Sequence, residues 1–152
     1  MLNRLLPQRI DNTYHGHRLA LWLFGVVVTV KILQCISILV DTASIVRGAD
    51  GIPLDTYTAA GAQTVVALWA LSGLERLIVA FLCVLALVRY RSLIAFMFGL
   101  MAIEYLARQL IFFVHPVVRV GSPIGPTVNF ALFMLVLIGL LLSLARRDKA
   151  RP

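Results

Sequence analysis

Residues 19–40 read LALWLFGVVVTVKILQCISILV. Apart from Lys31 and Gln34 the run is apolar, and it is long enough for the roughly 20 residues a helix needs to cross a bilayer core. A secretory signal peptide has a shorter apolar region, about 7–15 residues, before a small-residue cleavage site. The run therefore reads as a retained transmembrane helix.

Outward from this span, residues 41–55 are rich in turn formers, with Gly48, Asp50-Gly51 and Pro53 as breakers. Residues 56–71 (TYTAAGAQTVVALWAL) are apolar but full of small side chains, with Asp55 placed as an N-cap. Ser72-Gly73-Leu74-Glu75 has the form of a capping box, Ser72 opening a helix and Glu75 reaching back to its amide. The sequence thus predicts an interfacial or re-entrant helix over residues 56–71 and a second span over 73–88. One long tilted helix over 56–88 is the alternative. Arg89-Tyr90-Arg91 turns the chain into a third span, 93–114, which ends before His115-Pro116. A loop with two prolines follows, and Pro126 suits the first turn of a fourth span, 127–144. The expected fold is an all-α membrane protein of one domain, residues 1–152. It is a four-transmembrane-helix bundle with the additional helix before span 2.

Composition agrees. Of 152 residues, 61% are apolar and 14% charged, whereas soluble domains carry about 25% charged residues. The net charge of +7 is not a nucleic-acid footprint, because the basic residues flank the apolar runs. Arg4, Arg9 and Arg18, Arg89 and Arg91, and Arg146, Arg147, Lys149 and Arg151 lie on one side. Only Arg47 and Arg119 lie on the other. Lys and Arg concentrate on the cytoplasmic side of membrane proteins. The expectation is a multi-pass protein of the cell inner membrane with both termini in the cytoplasm.

Five ionisable residues remain within or beside the spans: Lys31, Glu75, Arg76, Glu104 and Arg108. Each costs about 2.5–3.5 kcal/mol at a helix centre on insertion scales, so partners are required. Counting from the cytoplasmic flanks, Lys31, Glu75 and Glu104 share a depth of about 20 Å, in the outer half of the membrane. Glu104 and Arg108 are spaced i, i+4 on one face, and Gln34 lies near the Lys31 face. Arg76 points about 100° away from Glu75 and is expected to snorkel to the outer interface. Span 4, without an ionisable residue, is expected to supply packing or a lipid-facing or partner-facing wall. The layer of Lys31, Gln34, Glu75, Glu104 and Arg108 has two readings. Its members neutralise one another and fix helix register, or they line an outward-opening pocket for a ligand headgroup.

Other chemistry is disfavoured. Cys35 and Cys83 differ in depth by about 16 Å, beyond the ~7 Å reach of a disulfide, and both read as apolar packing residues. His15, His17 and His115 sit outside the spans, which leaves no mid-membrane pair for haem, and no metal site is expected.

Lys31 in span 1, the outer linker, and Gly73-Leu74-Glu75 opening span 2 with an Arg-containing turn after it together resemble the DoxX-like family of four-span membrane proteins. The resemblance covers about residues 18–105 and matches Lys31 and Glu75. It implies the fold, and an association with membrane redox complexes including a quinone-linked thiosulfate oxidoreductase.

The function expected from the sequence is a non-catalytic accessory subunit, or a protein binding a lipid or quinone headgroup, among membrane lipids and other membrane subunits or copies of itself. The alternatives are a subunit of a quinone-linked membrane oxidoreductase and a small dimeric transporter.

Overall fold

A computed structural model describes residues 10–14 and 16–145. Arg4, Arg9, Arg146, Arg147, Lys149 and Arg151 of the positive flank, and His15, lie outside the described residues. Four long helices dominate: α1 (Arg18–Val40), α2 (Ala59–Val88), α3 (Ile94–Val114) and α4 (Ile124–Leu144). Each is long and apolar enough to cross a membrane, the make-up of a multi-pass membrane protein. Large apolar side chains such as Trp22, Phe81, Ile103 and Phe113 point outward. A helix apolar all round suits hydrocarbon on one side and packing on the other.

The ends of the helices follow local chemistry. Nδ1 of His17 accepts from the Leu19 amide at 3.2 Å to start α1. Asp41 ends it and accepts from the Ser44 amide at 3.2 Å, opening the short turn Thr42–Ser44. The Ser44 hydroxyl and amide, both bonded to Asp41, hold its carboxyl below the usual carboxylate range. A π-helical turn, Ile45–Ala49, and a 3-10 turn, Leu54–Thr56, complete the linker.

Thr58 caps α2 by accepting from the Gly61 amide at 3.2 Å, and Asp55 lies in the 3-10 turn instead. The helix then continues through Ser72-Gly73 to Val88 without a break. This corrects the interfacial helix over residues 56–71 and the second span over 73–88: both belong to one helix. The physical reason is environmental. Backbone groups without water are satisfied most simply by unbroken helix, so Ser72 turns its hydroxyl to another use. Gly73 serves packing rather than a hinge, since a Cβ there would lie 2.7 Å from Cγ2 of Ile38. The 30 residues of α2 extend about 45 Å at about 1.5 Å per residue. That exceeds the ~30 Å hydrocarbon core and calls for tilt.

α1 is central, packing on α2 and α4, while α3 packs mainly on α4. α2 and α3 are joined by the tight turn at residues 89–93 yet touch little. Phe24 meets Phe98 edge to face at 4.9 Å among Val27, Ile94, Met101 and Val136. Gly139 leaves the room that the Phe98 ring occupies. This apolar core fills the half of the bundle nearer the start of α1 and the end of α4. There the segment before α1 is tied across the helix ends. The Ser92 amide donates to Asp11 O at 3.3 Å and the His17 amide to Leu142 O at 3.2 Å.

The opposite, loop end has a smaller cluster of Val46, Ile52 and Leu54 packed with Val65, Trp69 and Val117. Gly51, at φ +70°, lets the linker turn so that its carbonyl accepts from the Val120 amide at 2.8 Å. Between the two clusters the interior is polar.

Candidate functional site

α1 carries Lys31 into this region and α3 carries Glu104 and Arg108, one turn apart. Lys31 Nζ lies 3.3 Å from Glu104 Oε2, and Arg108 Nη2 lies 2.9 Å from Glu104 Oε1. Both oxygens of a single carboxylate are thus engaged by cations from two helices. The three side chains remain 23–28% exposed, so the network is reachable rather than sealed.

α2 contributes Arg76. Its Nη2 donates to Ser72 Oγ one turn earlier at 2.8 Å, which is the use that Ser72 finds in place of capping. Its Nε is buried without a hydrogen-bond partner among the described residues. The sequence placed Arg76 at the outer interface, but it points inward. Glu75, expected in the charged layer, is exposed on the flank of α2, outside the Lys31–Glu104–Arg108 network. The stripe of buried small residues Gly73, Ala80, Cys83 and Ala86 marks the packed face of α2. Arg76, three after Gly73 and four before Ala80, falls on that stripe, and Glu75 does not. That spacing was the available signal.

α4 contributes Asn129, which the sequence expectation of an unreactive wall overlooked. It continues, at helical spacing, the buried stripe Leu132, Val136, Gly139 and Ser143. Lys31, Gln34, Arg76, Glu104, Arg108 and Asn129 line one central cavity of about 40 Å³. Tyr105 borders it, stacked on Phe133 with ring centroids 4.2 Å apart. Cys35 also lines this cavity, and Cys35 and Cys83 are both free thiols.

Three further spaces adjoin. A cleft of about 540 Å³ runs between α2 and α3, walled by residues that include Leu68, Val79, Ala107 and Ile111, with Ser72, Glu75, Arg76, Glu104 and Arg108 among its polar lining. A loop-end cavity of about 90 Å³ brings Arg76 and Arg108 toward Asp50, Trp69 and Arg119. A groove of about 320 Å³ on the α1 side holds Gln34, Asp50, Arg76 and Asn129. Arg76 lines all four spaces. At the loop end, Trp69 Nε1 donates to Asp50 Oδ2 at 2.8 Å, and the Arg119 guanidinium sits 5.3 Å from the centre of the Phe112 ring.

The site therefore offers cationic donors, one doubly engaged carboxylate, an amide and an aromatic stack around spaces of mixed polar and apolar lining. Chemically, such donors can hold a polar or anionic group. No family model, curated protein or solved structure matches the chain.

Proposed function

We propose that this four-span protein binds the polar headgroup of a small membrane-dissolved molecule, a lipid or quinone, and acts as a non-catalytic accessory subunit of a membrane complex. One observation carries the reading: Lys31 and Arg108 both engage the single carboxylate of Glu104, and a third cation, Arg76, lines the same cavity while its guanidinium bonds Ser72. A network serving helix register alone would balance its charges, because an uncompensated cation is costly at this depth. The arrangement instead leaves one buried Arg76 donor, Nε, without a partner among the described residues. The concentration of Lys and Arg beside the helix ends supports a reading with both termini in the cytoplasm, a bacterial-type inner membrane around the helices and the site in its outer half.

A second reading, a subunit of a quinone-linked oxidoreductase with the redox centre on a partner, draws on the stacked Tyr105 and Phe133 rings at the cavity. They suit a ring-bearing headgroup, and the DoxX-like resemblance points the same way.

Extraction in a gentle detergent followed by native mass spectrometry tests the proposal. The wild type should retain a small molecule that Arg108→Gln releases. A bare wild-type chain in every preparation would count against headgroup binding, and a retained quinone would favour the second reading.

A further inference from the structure

We infer that the occupant is an amphiphile with an anionic headgroup, and that it enters sideways from the bilayer through the cleft between α2 and α3. This rests on the headgroup-binding reading above and specifies its ligand.

Charge points to an anion. Around the central cavity stand Lys31, Arg76 and Arg108 against Glu104, whose two oxygens are already engaged. Asp50 and Arg119 at the loop end offset each other. Even when the exposed Glu75 is counted with the central group, cations outnumber carboxylates. Arg76 Nε, buried and without an acceptor, is the donor still to be satisfied. A guanidinium presents its N–H groups in a fixed fork that matches carboxylate and phosphate oxygens.

Shape points to an amphiphile. The cleft exists because α2 and α3 touch little despite their tight connection. Its walls at Leu68, Val79, Ala107 and Ile111 are apolar, and Arg76 and Arg108 stand among its polar lining. An acyl chain suits such walls, with its headgroup against the guanidinium groups. A water-soluble anion would instead arrive from the loop end. That route is smaller, about 90 Å³ against about 540 Å³ for the cleft.

The test uses the full-length protein in phosphatidylcholine nanodiscs, titrated with dioleoylphosphatidic acid, dioleoylglycerol or inorganic phosphate and read by native mass spectrometry. Phosphatidic acid should bind at least about tenfold more tightly than the uncharged diacylglycerol. Arg76→Gln should remove about tenfold, the scale of one charge-assisted hydrogen bond, while Arg76→Lys keeps most of the preference. Ala107→Trp, which fills the cleft wall and leaves every cation in place, should weaken phosphatidic acid binding. Equal binding of phosphatidic acid and diacylglycerol, or an Arg76→Gln variant with unchanged preference, would overturn the anionic assignment and leave headgroup binding standing. Inorganic phosphate that binds as tightly as phosphatidic acid, with neither affected by Ala107→Trp, would overturn lateral entry. Failure of all three ligands to bind the wild type would overturn this inference, whereas the proposed function falls only if the extracted wild type also carries no small molecule.

Discussion

Lys31 Nζ and Glu104 Oε2 lie 3.3 Å apart across 73 positions of sequence, and they link α1 to α3, which also meet at Phe24 and Phe98. The pair is asymmetric. If Lys31 is lost, Glu104 still has Arg108 at 2.9 Å. If Glu104 is lost, two cations are left without a carboxylate. Lys31→Met should therefore destabilise by about 1.5–3 kcal/mol, the range for a hydrogen bond to a charged group. Glu104→Leu should cost more, about 3–5 kcal/mol, as for a buried charge left alone. The double variant should be less destabilised than the sum of the two, since contacting residues couple. Thermal unfolding in detergent reads all three, and strict additivity would show that the pair carries no coupling.

Gly73 is a packing residue, and the way to see it is to add a methyl group. In Gly73→Ala the new Cβ meets Ile38 Cγ2 at 2.7 Å, on a β-branched side chain with little freedom to move. Overpacking of this kind costs about 1–3 kcal/mol. Adding Ile38→Ala, which removes the obstructing carbon, should make the second substitution less harmful in the Gly73→Ala background than alone. A neutral Gly73→Ala would show that α1 and α2 have slack at this contact.

Trp69 holds the linker to α2 through Asp50 at 2.8 Å. Trp69→Phe keeps much of the ring and removes the donor. Hydrogen exchange over residues 45–52 should speed up, by an amount matching about 1.5–3 kcal/mol for a hydrogen bond to a carboxylate. Exchange over residues 94–101 in α3 should stay unchanged.

Tyr14 lies before α1, and burial pushes its hydroxyl pKa from 10.0 up to about 12. A folded pKa above the unfolded one gives stability that is full below pH 10.0 and is lost as pH rises toward about 12. The tyrosinate absorbance of this residue should therefore appear late in an alkaline titration. Tyr14 Oη has no hydrogen-bond partner among the described residues, so Tyr14→Phe should leave neutral-pH stability equal or slightly higher. The variant should also lose the part of the alkaline decline that belongs to this group.

Orientation can be read with a membrane-impermeant thiol reagent, because Cys35 and Cys83 are buried. A side chain added at Gly48 meets nothing within 4 Å, so Gly48→Cys is well tolerated. It should label from outside the cell, while Arg91→Cys should label only after the membrane is opened. The reverse pattern would invert the proposed topology.

The four spans were legible because hydropathy and flanking charge act over whole segments, and small errors in placing their ends do little harm. Ser72-Gly73 misled because a capping box is a device for helix ends that meet water, and here α2 runs on through apolar surroundings. Lys31, Glu75 and Glu104 could be grouped by depth, and Arg108 joined Glu104 through its i, i+4 spacing. Depth alone could not choose between Glu75 and Arg76, adjacent residues at one level whose positions on the helix differ by about 100°. The small residues Gly73, Ala80 and Cys83 make that choice. Asp50 and Trp69 were out of reach, because their meeting depends on how the linker folds back, and no periodicity governs a π-helical turn.

The strap before α1 sets an order of events during synthesis. The His17 amide finds its acceptor on Leu142, near the end of the last helix, whereas the Asp11 contacts to Ser92 need only the turn that precedes α3. As the chain emerges from the ribosome, the strap can first fasten at Ser92 while α4 is still unmade. It closes on Leu142 only after the fourth helix has been made.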